Sequence, residues 1–300
     1  MADAFLRNVQ ATASAVQIKD PDAVAEKLAR LRSEGTARIQ VISDFDSTFS
    51  RHHSHNGERC WTTHQVLDTE ALRINPELGQ TLMDLRDKYM PIEFDPNVPY
   101  DEKRAHMIEW WSRAHDAIGK SGISKRMLVD MVHHSRILFR DLALELVRWL
   151  ESHHIPLVMF SAGVGDIIDI KLHQNLVPYP DNVHVISNMM CYTDDGKEEI
   201  CGFHEPLIHT TNKNATVIDG EVLQQLRTRA NVLLMGDTIG DTHMDDGVVN
   251  EGVALKIGFL NDRFDENLET YMHHYDIVLV DDQSMDIPWK ILRFIAQQLD

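Results

Sequence analysis

Cysteine is scarce in this sequence, which has only Cys60, Cys191 and Cys201 among its 300 residues. An odd count without paired spacing argues against a disulfide framework and fits a reducing compartment. The first residues, MADAFLRNVQ, lack the apolar stretch of a secretory signal peptide. Long hydrophobic runs are also missing, since none approaches the ~20 apolar residues of a membrane span. We therefore expect a cytoplasmic protein with no membrane partner.

Basic residues are also few, with 29 Lys and Arg against 47 Asp and Glu and a formal net charge of −18. A protein that binds a nucleic acid polymer needs a basic face that displaces counterions from many phosphates. The charge therefore argues against such a partner. A small phosphorylated substrate stays open, because one lysine and one metal ion can neutralise it locally. Hydrophobic residues make up 43% of the chain, enough for one large domain or a core with a smaller insertion.

Short apolar runs alternate with helical patterns along most of the chain. The predicted strands cover residues 39–43, 155–160, 183–192, 231–235, 253–259 and 275–282, and the clearest helices between or beside them cover 21–33, 143–154 and 287–299. A small hairpin is predicted from the Asp-Gly turn that follows residue 194. The alternation of strands and helices predicts an α/β protein with a parallel sheet covered on both faces.

One long segment departs from this alternation. Residues 68–140 have a helical pattern without a strand-like run, and we expect prolines to divide it into separate helices. The prolines at the predicted breaks are Pro91, Pro96 and Pro99. We therefore predict a catalytic core of residues 1–55 and 141–300 with an inserted helical cap of residues 56–140. Such a cap can close over a site in the core.

Polar side chains stand at the ends of three predicted strands. Asp44 and Asp46 follow the first strand, Ser161 follows another, and the acidic pair Asp237 and Asp241 follows a third. Side chains two residues apart on a strand project to the same side, and the carboxyl ends of parallel strands meet at one edge of the sheet. We expect these groups to converge, together with a loop lysine at position 213. Clustered carboxylates repel one another, and Mg²⁺ with its preference for oxygen ligands would compensate their charge.

In this order the residues resemble a known set of four motifs. DFDST at 44–48 resembles the D-x-D-x-T signature of the haloacid dehalogenase superfamily, and Ser161, Lys213 and the GDTIGD acidic pair resemble its other three motifs. Longer stretches, among them MPIEFDPNVPYDEKRAHMIEWW, FSAGVGD and LIHTTNK, resemble the pyrimidine 5′-nucleotidase family, which includes cytosolic 5′-nucleotidase III. The resemblance implies a Rossmann-like parallel sheet core with an inserted all-helical cap, and Mg²⁺-dependent hydrolysis of nucleoside 5′-monophosphates.

The resemblance also assigns the chemistry to residues. Asp44 is the expected nucleophile, which forms an aspartyl phosphate, and Asp46 is the expected general acid and base. The expected metal ligands are Asp44, the backbone carbonyl of Asp46, and Asp237. Asp241 is a further metal ligand, with direct contact and contact through water both open.

The same family places the substrate. Ser161, the backbone amide of Ala162 and Lys213 are expected to hold the phosphoryl oxygens. In the cap, Glu93 stands where the family has a glutamate that contacts the base, and we expect Trp111 to stack on the base.

The preferred base stays open between pyrimidines and 7-methylguanine. An anionic acceptor at Glu93 suits the amino group of cytosine or the positive charge of 7-methylguanine. Ala114 stands where family members commonly have a serine that touches the base. His64 is a further candidate for the opposite face of the base. Alternatively, Trp110 and Trp111 both belong to the cap core. The argument for this alternative is that adjacent helix positions cannot face the same way.

Two other functions remain as alternatives. One is a phosphatase that acts on another small phosphomonoester, such as a sugar phosphate or phosphoserine. The other is a catalytically silent protein that uses the cap to bind a nucleotide. In each case we expect a monomer.

Overall fold

The computed structural model describes residues 1–95, 97–210, 212–248 and 252–298. The strands are β1 (Val16–Gln17), β2 (Ile39–Ser43), β3 (Leu157–Val164), β4 (Val183–Asn188), β5 (Met190–Tyr192), β6 (Ile200–Phe203), β7 (Asn231–Gly236), β8 (Ala254–Leu260) and β9 (Ile277–Val280). Seven of them form one sheet in the order β1-β9-β8-β7-β2-β3-β4. All neighbours in this sheet are parallel except β1 and β9. The predicted parallel sheet is therefore confirmed.

The helices lie between and beside these strands. They are α1 (Ala2–Thr12), α2 (Pro21–Glu34), α3 (Thr63–Ile74), α4 (Pro76–Phe94), α5 (Tyr100–Gly119), α6 (Lys125–His134), α7 (Ala143–Ser152), α8 (Gly165–Asn175), α9 (Gly220–Arg227), α10 (Phe264–His274) and α11 (Asp286–Ile295). The predicted amphipathic helix α2 is present: Asp20 caps it, and Val24, Leu28 and Leu31 are buried. Among the residues described, no helix is both long and apolar enough to cross a membrane.

The sheet has an apolar core on each face. Side chains alternate along β2, so that Val41 packs in one hydrophobic cluster and Ile42 in the other. The neighbouring strand β7 shows the same alternation, with Leu233 on the first side and Leu234 on the second. Both faces of the sheet are therefore covered, as predicted, and polar groups reach solvent mainly at the strand ends.

Residues 183–192, predicted as one strand, form two. The chain leaves the large sheet after Asn188, and β5 pairs instead with β6 in an antiparallel hairpin. The Asn188 side chain donates to the backbone carbonyls of Ala162 and Ile208 at 2.9 and 2.8 Å and accepts from the Ile208 N–H. These bonds tie the end of β4 to neighbouring loops, and a local apolar pattern gives no sign of them. The sequence also gave no prediction of α1 or β1.

The prolines of the helical segment differ in their effects. The predicted break at Pro91 is wrong, because α4 continues through Pro91 to Phe94. Pro91 lies in the last turn, where its missing N–H removes one hydrogen bond shortly before the helix ends. Pro99 directly precedes α5, as predicted. Pro96 lies outside the described residues.

The helices α3 to α6 follow one another between β2 and β3. The segment that they form contributes no strand to either sheet. The chain enters and leaves this segment through two paired stretches, in which the Arg51 N–H donates to the Leu138 carbonyl and the Arg140 N–H to the Phe49 carbonyl. At the far end, α5 packs against the β5–β6 hairpin. Within the segment, α6 also packs against α8 and α3 against β3, so that it contacts the rest of the structure at several places.

His115 in α5 stacks on Phe203 in β6, with ring centroids 3.6 Å apart. Burial lowers the pKa of His115 to about 4, although Asp116 acts in the opposite direction. Between pH 6.5 and about 4 the unfolded chain therefore binds a proton that the folded His115 does not. The stability that comes from neutral His115 is complete above pH 6.5 and decreases as the pH falls.

We expect His115→Phe, which keeps a ring against Phe203 without titrating, to raise the free energy of unfolding more at pH 5 than at pH 7.5. The expected difference is about 2 kcal/mol. Urea unfolding followed by circular dichroism at both pH values measures it. His173→Phe, at a more exposed ring stacked on Tyr179, is the control and should show no such difference. An equal effect of His115→Phe at both pH values would contradict the prediction.

Candidate active site

The three central strands of the sheet end side by side. β2 pairs in parallel with β3 on one side and with β7 on the other. Asp44 directly follows β2, Ser161 lies in the second half of β3, and Asp237 directly follows β7. Because the carboxyl ends of parallel strands lie at one edge, residues far apart in sequence meet there.

The turn after β2 has an unusual backbone. Ser47 has φ 61°, in the left-handed region that a non-glycine residue seldom adopts. Its N–H donates to Ser50 Oγ at 3.0 Å, and its carbonyl accepts from Asn261 Nδ2 at 3.0 Å. Such a backbone persists only where the surroundings hold it. The turn therefore fixes how Asp44 and Asp46 project from the end of β2.

Lys213 lies at the centre of the edge. Its Nζ donates to Asp44 Oδ1 at 2.6 Å and to Asp241 Oδ1 at 2.5 Å, and only 4% of the residue is exposed. Burial opposes the charged ammonium, but Asp241 and Asp44 more than offset this and raise the pKa of Lys213. The lysine is therefore a buried cation between two carboxylates that follow different strands.

The acidic pair after β7 has two different roles in the turn. Asp241 Oδ2 accepts from the Asp237 N–H at 3.2 Å and from the N–H and Oγ1 of Thr238 at 2.9 and 2.8 Å. Asp237 accepts only one side-chain donor among the described bonds, Thr48 Oγ1 at 3.2 Å. Burial, followed by the charges of Asp44 and Asp241, raises the pKa of Asp237. Asp241 therefore anchors the turn, whereas Asp237 carries charge that the protein compensates poorly.

Three carboxylates at this edge fit a divalent cation. Ligand oxygens of Asp44, Asp237 and Asp241 all lie within 4.8 Å of one another. Burial also raises the pKa of Asp44, against the opposing effect of Lys213. One ammonium group thus faces three carboxylates, of which those of Asp44 and Asp241 are buried and that of Asp237 is half-buried. Oxygen donors and excess negative charge suit a hard cation such as Mg²⁺.

Asp46 is held by the first residue of α3. Thr63 donates its N–H to Asp46 Oδ1 at 2.9 Å and its Oγ1 to Asp46 Oδ2 at 2.8 Å. Burial raises the pKa of Asp46 to about 6, and the two bonds from Thr63 oppose the increase. Sequence analysis missed Thr63. The capping box of Thr62 and Gln65 marks the start of α3 but does not reveal that this helix end reaches Asp46.

A β-bulge interrupts the pairing of β3 with β4 between Phe160 and Val164. It contains Ser161, Ala162 and Gly163, so β3 continues past Phe160, where the predicted strand ends. Ser161 Oγ accepts the Gly163 N–H at 2.9 Å. Bulges redirect side chains and are common beside active sites. This bulge brings the second motif to the edge that carries Asp44.

The cap candidates lie apart from this edge. Glu93 is half-buried in the last turn of α4, burial raises its pKa, and it makes no hydrogen bond or ion pair with any residue that the structure describes. Trp111 is buried, its indole Nε1 has no partner in the described part of the chain, and its ring lies 4.2 Å from that of His64. The His64 Nε2 also has no partner there. His64 follows Thr63, which places Trp111 one side chain away from the Asp46 contact.

The argument that Trp110 and Trp111 cannot face the same way is wrong. Both are buried, and their rings are parallel within 2° with centroids 5.1 Å apart. The long indole groups meet although their Cβ atoms diverge. Trp110, rather than Trp111, lines a cap cavity of about 20 Å³ together with His64, Asp68 and Ala114. A cavity of this volume holds about one water molecule, so a nucleobase fits into it only if the surrounding side chains move.

The parallel sheet and its flanking helices define the fold class of the chain, an α/β fold of the haloacid dehalogenase type. A haloacid dehalogenase family hydrolase from Salmonella enterica serovar Typhi shares the fold, with a TM-score of 0.53 over 88% of this chain and 73% of that one at 14% identity.

Sequence similarity also identifies the family of the chain within this fold class. The family model for pyrimidine 5′-nucleotidases (UMPH-1) matches residues 47–296. The 7-methylguanosine phosphate-specific 5′-nucleotidase of Gallus gallus is 42% identical over 286 residues, covering 95% of this chain and 97% of that protein. The crystal structure of cytosolic 5′-nucleotidase IIIB bound to cytidine matches with a TM-score of 0.86 and 34% identity over 98% of both chains. The chain therefore belongs to the pyrimidine 5′-nucleotidase family, a family of phosphoric monoester hydrolases.

A substitution at Gly163 tests the close packing of the site. A Cβ at this position would lie 2.2 Å from Thr63 Oγ1 and 3.0 Å from both Asp46 Oδ2 and Ser161 Oγ. We expect Gly163→Ala to displace these groups and to lower kcat by about 100-fold. Steady-state phosphate release measures kcat, and circular dichroism shows whether the variant folds. Gly220→Ala, where a Cβ meets nothing within 4 Å, should leave kcat unchanged. A folded Gly163→Ala protein with full activity would refute the arrangement.

Proposed function

We propose that the protein hydrolyses nucleoside 5′-monophosphates to nucleoside and phosphate through an aspartyl phosphate on Asp44. The observation that carries the proposal is the contact of one buried lysine, Lys213, with both Asp44 and Asp241 at the edge where Asp46 and Asp237 also lie. Membership of the pyrimidine 5′-nucleotidase family supports a nucleotide as substrate.

The reaction has two displacements at phosphorus. Asp44 attacks the phosphoryl group, and the 5′ oxygen leaves with a proton from Asp46. Asp46 then takes a proton from the water that attacks the aspartyl phosphate, which releases phosphate and restores Asp44. Lys213, Ser161 and the Ala162 amide hold the phosphoryl oxygens during both steps. The two hydrogen bonds from Thr63 fix the orientation of Asp46, and burial, which raises its pKa to about 6, supports the proton-donating part of this role.

Asp44, the backbone carbonyl of Asp46, and Asp237 would hold Mg²⁺. When bound, the ion neutralises charge between the phosphate and the attacking carboxylate. For Asp241 we propose contact through water, because both of its oxygens already accept hydrogen bonds, one from Lys213 and the other from the turn at Thr238.

Residues 56–140 would form a cap that recognises the base. Glu93 supports this proposal as a half-buried acceptor that pairs with none of the described residues, and the ring nitrogens of His64 and Trp111, which also lack a partner in the described ranges, add two further polar atoms. Ala114 offers no hydroxyl to a base. The names of similar proteins give 7-methylguanosine phosphate as the specificity of one and cytidine as the bound ligand of another, which makes both base classes candidates. We further propose a cytoplasmic monomer, in line with the cytosolic name of the matched structure.

Substrate and nucleophile are tested together. We expect phosphate release from CMP, UMP or 7-methyl-GMP that stops when EDTA removes metal and returns with added Mg²⁺. Asp44→Asn should lower kcat by about 1,000-fold or more, because the amide cannot form the intermediate. The exposed Asp181→Asn is the control and should keep full activity. Wild-type protein that releases no phosphate from any of the three nucleotides would disprove the proposal.

Glu93 tests base recognition. A hydrogen bond to a charged group contributes about 1.5–3 kcal/mol, so Glu93→Gln should raise KM for CMP and 7-methyl-GMP by roughly 10- to 100-fold. The effect on UMP should be smaller, since uracil lacks the exocyclic amino group. Glu102→Gln changes an exposed carboxylate of the same segment, 62% exposed at its side chain, and should leave KM unchanged. Equal KM values for wild type and Glu93→Gln would remove Glu93 from the base site.

A further inference from the structure

Arg140 is a buried guanidinium, 2% exposed, that reaches the turn after β2. Its Nε donates to the Thr48 carbonyl at 2.6 Å, and its Nη2 donates to the Ser47 carbonyl at 2.5 Å. Nη2 also donates to Asn261 Oδ1 at 2.9 Å, and Nη1 donates to the Asp282 carbonyl. All four acceptors are neutral. No carboxylate of the described residues forms an ion pair with the group, although nearby carboxylates, foremost that of Asp282, stabilise its charge from further away. Burying a guanidinium in this way is costly, so stability alone gives little reason for an arginine here.

The turn needs such a group. Ser47 lies between Asp46 and Thr48 with φ 61°, and left-handed backbone is unfavourable for a non-glycine residue. Its carbonyl accepts from both Arg140 and Asn261, whose Nδ2 lies 3.0 Å away. Arg140 therefore holds the peptide group between Ser47 and Thr48, directly after Asp46.

Two further contacts fix the position of Arg140 itself. The guanidinium carbon lies 4.1 Å from the centre of the Phe259 ring in β8, which sets the plane of the group. The Arg140 N–H donates to the Phe49 carbonyl at 3.2 Å, in the paired stretches through which the chain enters and leaves α3 to α6. Three parts of the chain therefore meet at Arg140: strand β8, the turn after β2, and the stretch that follows α3 to α6.

We propose that Arg140 is a positioning residue for hydrolysis, whose guanidinium holds the turn that carries Asp44 and Asp46, with Asn261 completing the clamp. The proposal rests on the proposed function in one respect, that Asp44 is the nucleophile. Arginine is required because its planar group donates in several fixed directions, whereas lysine presents a single point charge. Arg140 belongs to none of the four motifs and does not touch the reacting atoms.

The main variant is Arg140→Lys, which keeps the positive charge but loses the guanidinium N–H groups that donate in several directions. We expect kcat to fall about 10- to 100-fold, because a small displacement of the nucleophile has a large effect on rate. KM should change less than about 3-fold, because the groups that hold the phosphate lie on other strands. A folded Arg140→Lys protein with kcat within about 2-fold of wild type would overturn the proposal.

Arg229 provides a matched control at the opposite end of β2. It donates to the backbone carbonyls of Thr36, Ile39 and His154 at 3.0, 3.1 and 2.6 Å, so its chemistry resembles that of Arg140. Arg229→Lys should also lose stability in thermal unfolding, to a smaller degree because Arg229 is only half-buried, while kcat stays within about 2-fold. An equal loss of kcat in both variants would assign Arg140 a general structural role and overturn the proposal.

Asn261 gives a second, milder variant. Asn261→Ala should lower kcat in the same direction, and the double variant with Arg140→Lys should lose much less than the product of the two single effects, as expected for side chains that act as one unit. Independent, multiplying effects would overturn the clamp. If Arg140→Lys does not fold, Asn261→Ala decides: an unchanged kcat refutes the proposal and a lowered kcat with unchanged KM supports it.

Hydrogen exchange separates this proposal from the proposed function. The N–H groups of Ser47 and Ser50 are hydrogen-bonded within the turn. Residues 45–50 should exchange faster in Asn261→Ala than in wild type, with β7 unchanged. Kinetics are measured on p-nitrophenyl phosphate as well as on CMP, UMP and 7-methyl-GMP. If wild type hydrolyses none of the three nucleotides, the proposed function fails; if p-nitrophenyl phosphate is also inert, the clamp is judged by exchange alone, and unchanged exchange of the turn refutes it.

Discussion

The buried ion pair of Lys213 with Asp44 and Asp241 is the interaction on which the rest of the site depends. A buried ammonium group is tolerated only when its partners remain in place, and removing one partner leaves an uncompensated charge. Those partners follow β2 and β7, so the pair requires these strands to be parallel neighbours in the middle of the sheet. This one ion pair therefore depends on the order of the strands, on the turn held by Asp241 and on the position of Asp44.

The parts predicted from sequence are those with local signals. Apolar runs indicated the strands, and the rule that parallel strands share a carboxyl edge placed Asp44 near Asp237. The contact of Thr63 with Asp46 joins residues 17 apart, and the clamp of Arg140 on Ser47 joins residues 93 apart. No periodicity or spacing marks such contacts, because they depend on how separate elements pack. The same reason explains why the division of the chain at Asn188 was missed.

In the proposed function, phosphate chemistry and base recognition lie on different parts of the chain. The edge of the sheet carries the charged groups that would act on a phosphoryl group, while Glu93, Trp111 and Ala114, the proposed base-site positions, belong to helices outside the sheet. Substitutions in those helices can change the preferred base without altering the reaction. Thr63 is the exception, since it starts α3 and also holds Asp46. Substrate preference and reaction rate are therefore linked at this one helix end.

The packing of α5 on the β5–β6 hairpin limits how a nucleotide can reach the edge of the sheet. A Cβ on Gly119 would lie 3.1 Å from the backbone of Cys201, so the helix and the hairpin are nearly in backbone contact. His115 and Phe203 extend this seam. Any movement that separates α5 from the hairpin would therefore have to break this backbone contact together with the stacking of His115 on Phe203.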